Sequence, residues 1–224
     1  MSSADATRLL REDLLGGVAI LVAHSGPPSA RAGSRAAAVE ELCGELGARI
    51  ASCAAGGAGG GDGDGEEQEL ALERSLDAAR AQLGEIDVLV IDAAALFAAA
   101  AEPAADAGGR EMLIGCLQAS WNVTRTLVNS AFLARAAGER GGRIVYIAPA
   151  PDAGAHADAA RAGLENLART LSIEWARYAI TPVTIAPGTA TPAGEVAALT
   201  AYLASPAGAY FSGCLLDLRG PGGR

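Results

Sequence analysis

Short, continuous apolar runs alternate along the chain with longer segments in which apolar residues recur at helical spacing. Residues 141–188 show this most clearly: an apolar run at 144–147 and a second one ending at Pro187-Gly188 flank a helical segment. Four apolar residues of that segment fall at offsets of 0, 3, 7 and 11, namely Leu164, Leu167, Leu171 and Trp175. The pattern predicts a strand, a crossover helix and a parallel strand. A right-handed crossover opens the carboxyl ends of both strands on one edge of a sheet, where such sheets bind ligands.

The same alternation extends over most of the chain. Continuous apolar runs predict further strands, with their exits, at 16–23, 48–52, 86–97 and 213–220. Helical spacing predicts helices at 35–46, 66–83, 111–137 and 195–205. This element order predicts an α/β fold: a single doubly wound parallel sheet, Rossmann-like, of six or seven strands with helices on both faces.

Two segments fall outside this alternation. Residues 1–16 predict a short N-terminal helical extension that docks its leucines onto a single domain spanning 17–224. Residues 53–66 are rich in glycine and aspartate and predict a flexible surface loop. Asp62 and Asp64 alternate with glycine there, but the other ligands of a calcium-binding loop are missing, so we expect no metal site.

Composition narrows the classes of function. With 224 residues, half of them hydrophobic, the chain has the size and composition of one α/β domain. Its net charge of −9 argues against nucleic acid or an anionic membrane as partner. All 17 basic residues are arginine, which excludes chemistry by a lysine ε-amine. The 4 cysteines are scattered, as suits a reducing compartment. The N-terminus lacks a basic region followed by a long apolar core, so we expect a cytoplasmic protein.

Six segments together resemble the short-chain dehydrogenases/reductases of the ketoreductase kind, over nearly the whole length from about Gly16. They read GEIDVLVIDAAA, VTRTLV, GGRIVYIA, ARAGLENLARTLSIEWA, VTIAPG and VAALTAYLASPAGAYFSGCLLDLRG. The resemblance implies a Rossmann fold that moves a hydride between NAD(P) and a carbonyl or alcohol, in proteins that are mostly tetramers.

The positions that bind the cofactor in this family are altered here. The family's TGxxxGxG turn after the first strand is replaced by Ala-His-Ser-Gly-Pro-Pro, so prolines and an imidazole stand where bare amides would hold phosphate. The family's Asn-Asn-Ala-Gly becomes Ile-Asp-Ala-Ala, which puts a carboxylate near the cofactor's adenosine side. The altered or remaining positions are His24, Ser25, Gly26, Asp92, Pro187 and Gly188. The resemblance therefore implies no bound cofactor, or NAD or NADP if the cleft still works.

The family's catalytic positions are altered as well. Aligning ARAGL with the family's SKAGL places the lysine position at Arg161 and the tyrosine position at Ala157. The serine position falls on Pro149, and the structural asparagine falls near Cys116. The proton donor and the serine that polarises the carbonyl are both gone. Arg161 keeps a cation, as in the halohydrin dehalogenases that resemble this family, but those enzymes need the serine and the tyrosine too.

The segments that match best are those that form subunit interfaces in the family, at about 111–137, 158–178 and 194–218. The family's substrate lid is missing, because only six residues join Gly188 to Glu195. The resemblance thus implies a pseudoenzyme subunit without its own chemistry. We expect it to assemble with an active homologous dehydrogenase, as a dimer or tetramer, and to stabilise or regulate that partner.

Two other functions stay open. A divergent NAD(P)-dependent oxidoreductase could use a rearranged acid/base site if His24, Asp92, His156 and Arg161 all face the carboxyl edge of the sheet. A homo-oligomeric protein that binds another small molecule would need a closed pocket, and the short loops argue against one. Tyr146 is expected to pack inside the sheet and to take no part in acid catalysis.

Overall fold

The computed structural model describes residues 11–25, 33–55, 65–100, 109–135 and 141–220. The strands within these ranges are β1 (Ala19–His24), β2 (Arg49–Ala54), β3 (Val88–Ile91), β4 (Arg143–Ile147), β5 (Thr181–Ala186) and β6 (Leu215–Asp217). The helices are α1 (Arg35–Glu45), α2 (Gly65–Leu83), α3 (Ala93–Ala99), α4 (Gly109–Leu127), α5 (Ala157–Glu174) and α6 (Ala193–Ala204). The six strands form one parallel sheet in the order β2-β1-β3-β4-β5-β6, which confirms the predicted Rossmann-like α/β fold.

Helices cover the sheet on both faces, because its strands are apolar on both sides. Leu21 and its same-face neighbours on β1 pack with α2, α4 and α5. Ile20 and Val22 point the other way and pack with α1 and α6. The continuous apolar runs in the sequence are therefore strands buried between two helical layers.

The strand order reverses between β1 and β3. From β1 the chain passes through α1 to β2 on one side, and from β3 it passes through α3 and α4 to β4 on the other. The two connections diverge and leave a crevice above the carboxyl ends of β1 and β3, which is the usual ligand position in such sheets. Among the described residues, β2 and β6 form the two edges of the sheet.

The predicted N-terminal extension can be compared with the structure only from residue 11 onward. Residues 12–17 form turns where the sequence predicted the end of a helix, and residues 1–10 lie outside the described ranges. Asp13 and Gly17 adopt positive φ angles of 58° and 81°, which a right-handed helix does not tolerate. Leu15 is nevertheless fully buried, as its predicted docking requires.

The predicted loop 53–66 is shorter in the structure. Cys53 and Ala54 complete β2, and Gly65 already begins α2. Residues 56–64, including Asp62 and Asp64, lie outside the described residues.

The predicted helix at 111–137 ends earlier than expected. After α4 the backbone widens into a π-helical turn, Val128–Phe132, in which the Leu133 amide donates to the Val128 carbonyl at 2.9 Å. The turn holds Phe132 against Gly142, where a Cβ would lie 2.2 Å from the aromatic ring. No helix in the described part of the chain is long and apolar enough to cross a membrane.

Candidate active site

Several candidate positions from the sequence lie along the carboxyl edge of the sheet. His24 is the last residue of β1 and Asp92 directly follows β3. Pro149 and Pro187 come shortly after β4 and β5. Because all strands are parallel, these four residues line one edge, with His24 and Asp92 at the crevice where the strand order reverses.

Asp92 links two helices across this crevice. Its Oδ1 accepts a hydrogen bond from the Ala95 amide at 3.1 Å, which caps α3. Its Oδ2 accepts one from the Ala36 amide, in the first turn of α1, at 3.3 Å. The side chain is almost fully enclosed, since Asp92 is only 2% exposed. One carboxylate therefore satisfies backbone donors at the N-termini of both α1 and α3.

The next two amides of the first turn of α1 are also bound within the chain. The Ala37 amide donates to Ser34 Oγ at 3.1 Å, and the Ala38 amide donates to the Ser34 carbonyl at 3.1 Å. Ser34 is thus the N-cap of α1. This role was not predicted from the sequence, although a serine just before an alanine-rich helix is a common start signal.

Burial raises the pKa of the Asp92 carboxyl above its ordinary value of 3.8. The Ala95 amide opposes this effect most, followed by the Arg35 charge, the Ala36 amide and His24. Loss of hydration therefore outweighs the hydrogen bonds and nearby positive charges. Asp92 holds a proton more readily than an exposed aspartate does.

His24 is buried beside Asp92, with Nδ1 3.2 Å from the Ser25 carbonyl oxygen. The Ser25 hydroxyl donates to the Ala95 carbonyl at 2.9 Å, which ties the exit of β1 to α3. Gly26, the third altered residue of this turn, lies outside the described residues.

Arg161 fastens the ends of two strands. Its Nη1 donates to the carbonyls of Pro149 and Pro187, each at 2.7 Å. Arg161 is only 8% exposed, and burial lowers its pKa, with the charge of Arg219 acting in the same direction. Arg161 also forms a long ion pair, in which its Nε lies 3.9 Å from Asp158 Oδ1. The cation at the family's lysine position therefore binds backbone carbonyls after β4 and β5.

At the start of α5, Ala157 is buried whereas the preceding residue, His156, is exposed. Ala157 is buried, and its amide donates to the Gly154 carbonyl at 3.2 Å. His156 is exposed, has a left-handed backbone with φ of 64°, and makes no side-chain cap bond to α5. The structure thus brings His24 and Asp92 together, whereas His156 stands at the surface and Arg161 is held by β4 and β5.

The segment between Pro149 and Ala157 rests on apolar side chains. A Cβ at Gly154 would lie 3.4 Å from Met112 Cε on α4 and 3.6 Å from Phe97 Cε1 on α3. Phe97 is fully buried. The α3 helix, which the sequence analysis had treated as the exit of a strand, therefore supplies apolar packing beside the altered catalytic positions.

Two further candidate positions are buried and structural. The Cys116 thiol donates to the Ala93 carbonyl at 3.3 Å, and burial raises its pKa to about 12. Tyr146 is fully buried, as predicted, with its hydroxyl 2.9 Å from Thr124 Oγ1. Burial raises the pKa of this phenol too. Both groups hold their protons and face the interior.

The loop after β5 is tied to the end of β6. The Gly188 amide donates to Thr191 Oγ1 at 2.8 Å, and the Thr191 hydroxyl donates to the Leu218 carbonyl at 3.1 Å. Thr191 was not predicted from the sequence, because its role depends on Leu218, which lies far along the chain. Within the described ranges, no three histidine, cysteine, aspartate or glutamate side chains form a group that could hold a metal ion.

Comparison with solved structures shows which fold the whole chain resembles. No family model matches the sequence, and a search of curated proteins finds no match. A citronellol catabolism dehydrogenase from Pseudomonas aeruginosa PAO1 superposes with a TM-score of 0.69 at 21% identity, over 96% of this chain and 99% of that one. This chain has a short-chain dehydrogenase-like fold.

Two other structures agree with this result. A variant of a short-chain dehydrogenase/reductase from Serratia marcescens has a TM-score of 0.66 at 22% identity, over 91% of this chain and 96% of that one. A dehydrogenase/reductase from Sinorhizobium meliloti 1021 has a TM-score of 0.65 at 19% identity, over 91% and 94%. Identities of this size establish the fold alone, so any chemistry must be argued from the site.

The described residues at the start of α1 do not fit a dinucleotide in the usual place. In doubly wound folds the pyrophosphate lies at the N-terminus of the helix that follows β1, where free amides and the helix dipole favour an anion. In this short-chain dehydrogenase-like chain that helix is α1, and its amides from Ala36 to Ala38 are bound by Asp92 and Ser34. A phosphate there would meet a buried carboxyl group at close range.

Proposed function

We propose that this chain is a non-catalytic member of the short-chain dehydrogenase/reductase family. It assembles in the cytoplasm with an active homologous NAD(P)-dependent dehydrogenase, which it stabilises or regulates. The observation that carries the proposal is the binding of Arg161 to the Pro149 and Pro187 carbonyls. Arg161, which aligns with the family's catalytic lysine, therefore has a structural role.

Carbonyl reduction needs a proton donor within about 2.6–3.2 Å of the reacting oxygen. The family's tyrosine and serine positions carry Ala157 and Pro149, which have no hydroxyl. Tyr146 is a poor replacement, because its phenol is fully buried, bonded to Thr124 and less acidic than usual. These features support a subunit without its own reductase chemistry.

An exposed apolar stripe on α4 supports the assembly. Ile114 and Trp121 are 46% and 37% exposed and lie two turns apart, so they share one side of the helix. Ile173 on α5 is also exposed. Both helices lie in segments that form a subunit interface in the family, and exposed apolar helix faces are commonly buried against a partner. We infer that a homologous dehydrogenase covers this stripe.

A second candidate is a divergent oxidoreductase that uses His24 and Asp92. It is favoured by the burial of both groups side by side at the crevice. This enzyme would need to bind NAD or NADP without the first turn of α1. Activity of the isolated chain separates the two functions.

The decisive experiment is co-expression with active short-chain dehydrogenases of the same organism, followed by size exclusion with light scattering. We expect one of them to form a stoichiometric hetero-oligomer with this chain. Trp121→Glu should abolish that complex, because it places a charge in the apolar stripe. Glu41→Lys, an exposed change on α1 in the opposite helical layer, should leave the complex intact.

The isolated chain should also fail to oxidise NADH or NADPH with carbonyl substrates. Turnover by the isolated chain that is lost in His24→Ala would favour the second candidate. A monodisperse homo-oligomer that binds none of the dehydrogenases would contradict the proposed assembly.

A further inference from the structure

We propose that Asp92 acts as an internal substitute for a bound phosphate. Its carboxyl group occupies the anion position at the N-terminus of α1 and prevents nucleotide phosphates from binding there. This role goes beyond the proposed function, because it concerns the isolated chain and holds whether or not a partner is present.

The α1 helix offers a suitable anion position. It has 11 residues, is the first described helix after β1, and begins beside Asp92 at the end of β3. Free amides in the first turn of such a helix, together with its dipole, attract negative charge. Asp92 Oδ2 lies 3.3 Å from one donor of this turn, the Ala36 amide nitrogen. The position that would receive a phosphate oxygen therefore already holds a carboxyl oxygen.

The blocking side chain is anchored from behind. Asp92 Oδ1 caps α3 through the Ala95 amide, and the Ser25 hydroxyl holds the Ala95 carbonyl at 2.9 Å. To leave the site, the Asp92 side chain must break two hydrogen bonds, one to the Ala36 amide and one to the Ala95 amide that it caps in α3. It must also move within a closely packed environment. A competing phosphate has to displace a group that the fold itself keeps in place.

The surroundings of Asp92 would otherwise favour an anion. Arg35 and His24 both interact electrostatically with its carboxyl group, and Cys116 is the other titratable side chain that responds to it. Removing the carboxyl group would leave the Ala36 amide without a partner, next to the side chains of Arg35 and His24. That combination suits an oxyanion such as pyrophosphate.

The test uses Asp92→Ser as the main variant. Serine is a good N-cap, so it can keep the cap of α3, but it is uncharged and too short to hold the Ala36 amide of α1. Asp92→Asn is the second variant, because it removes the charge and keeps the size. Asp158→Ala is the matched control, since Asp158 is an exposed carboxylate at the same edge of the sheet that lies on α5.

Inorganic pyrophosphate is titrated into each protein by calorimetry, and melting temperatures are measured with and without it. We expect saturable binding by Asp92→Ser with a Kd of about 1 mM or tighter, and a higher melting temperature with ligand. The unchanged protein and Asp158→Ala should bind at least about tenfold more weakly. The affinity of Asp92→Asn for pyrophosphate should lie between that of Asp92→Ser and that of the unchanged protein.

Two outcomes would overturn the inference. One is a folded Asp92→Ser, shown by a native near-ultraviolet circular dichroism spectrum, that gains no affinity for pyrophosphate. The other is an unchanged protein that already binds pyrophosphate as tightly as the variant. Should Asp92→Ser fail to fold, Asp92→Asn decides by the same comparison. Neither outcome concerns a partner, so the proposed assembly is tested separately.

Discussion

Asp92 is a carboxylic acid inside the protein, and its protonation is therefore coupled to folding. Its folded pKa lies above the ordinary value of 3.8, chiefly because burial penalises the charged form. Between these two pKa values the folded chain binds more protons than the unfolded chain does. The contribution of Asp92 to stability is then greatest at low pH and falls as pH rises toward the folded pKa.

This relation gives a prediction for the Asp92→Asn variant, which cannot ionise. The free energy of unfolding of the unchanged protein, minus that of the variant, should decrease as pH rises through the window above 3.8. Urea denaturation between about pH 4 and about pH 8 measures both proteins. Taking the difference removes the titration of all other groups to first order.

A difference that rises with pH would contradict the prediction. It would mean that the Ala36 and Ala95 amides, together with Arg35, stabilise the charged form more than burial disfavours it. Asp158→Asn, a change at an exposed carboxylate, serves as the control for a general change in net charge.

At the scale of elements, Arg161 connects three parts of the fold. It belongs to α5 and binds the carbonyls that follow β4 and β5. Without the guanidinium, the buried carbonyls of Pro149 and Pro187 would lose a charged donor. Arg161 therefore has a structural role, which the free energy of unfolding can measure.

We expect Arg161→Met to lower the free energy of unfolding by about 3 kcal/mol, because it removes two hydrogen bonds from a charged donor. Arg161→Lys should recover part of this loss, since its ammonium group still donates. Arg169→Met is the matched control on the same helix. Arg169 is exposed and pairs with Glu165 at 2.8 Å, so its loss should cost less than about 1 kcal/mol. Equal stability of Arg161→Met and the unchanged protein would refute the structural role of these two hydrogen bonds.

The sequence was sufficient to predict most elements, because parallel strands buried on both faces appear as continuous apolar runs. It was insufficient for α3, since seven residues of alanine, leucine and phenylalanine after β3 have no visible helical period. The π-helical turn after α4 was missed for a related reason: one widened turn barely changes the apolar pattern. The turns at 12–17 depend on positive φ at Asp13, which aspartate does not by itself reveal.

The site was predictable in position but less so in its contacts. Parallel topology was enough to bring His24 and Asp92 to one edge of the sheet. The bond from the Ala36 amide to Asp92 joins residues 56 positions apart, and no local signal in the sequence announces it. The same holds for Arg161, whose carbonyl partners become neighbours only when β4 and β5 pair.

At the scale of the whole molecule, the chain combines a dehydrogenase-like fold with altered positions at its carboxyl edge. The fold superposes on dehydrogenases at TM-scores of 0.65–0.69. At that edge, Asp92 and Arg161 bind other parts of the chain.

The most direct test is isothermal titration of NAD(H) and NADP(H) into the purified chain, and then into its complex with the dehydrogenase partner. The isolated chain should give no binding heat, and the complex should bind dinucleotide at about half of its subunits. Binding of either dinucleotide to the isolated chain at about micromolar affinity or tighter would contradict this account. Chemistry would then have to be sought at His24 and Asp92.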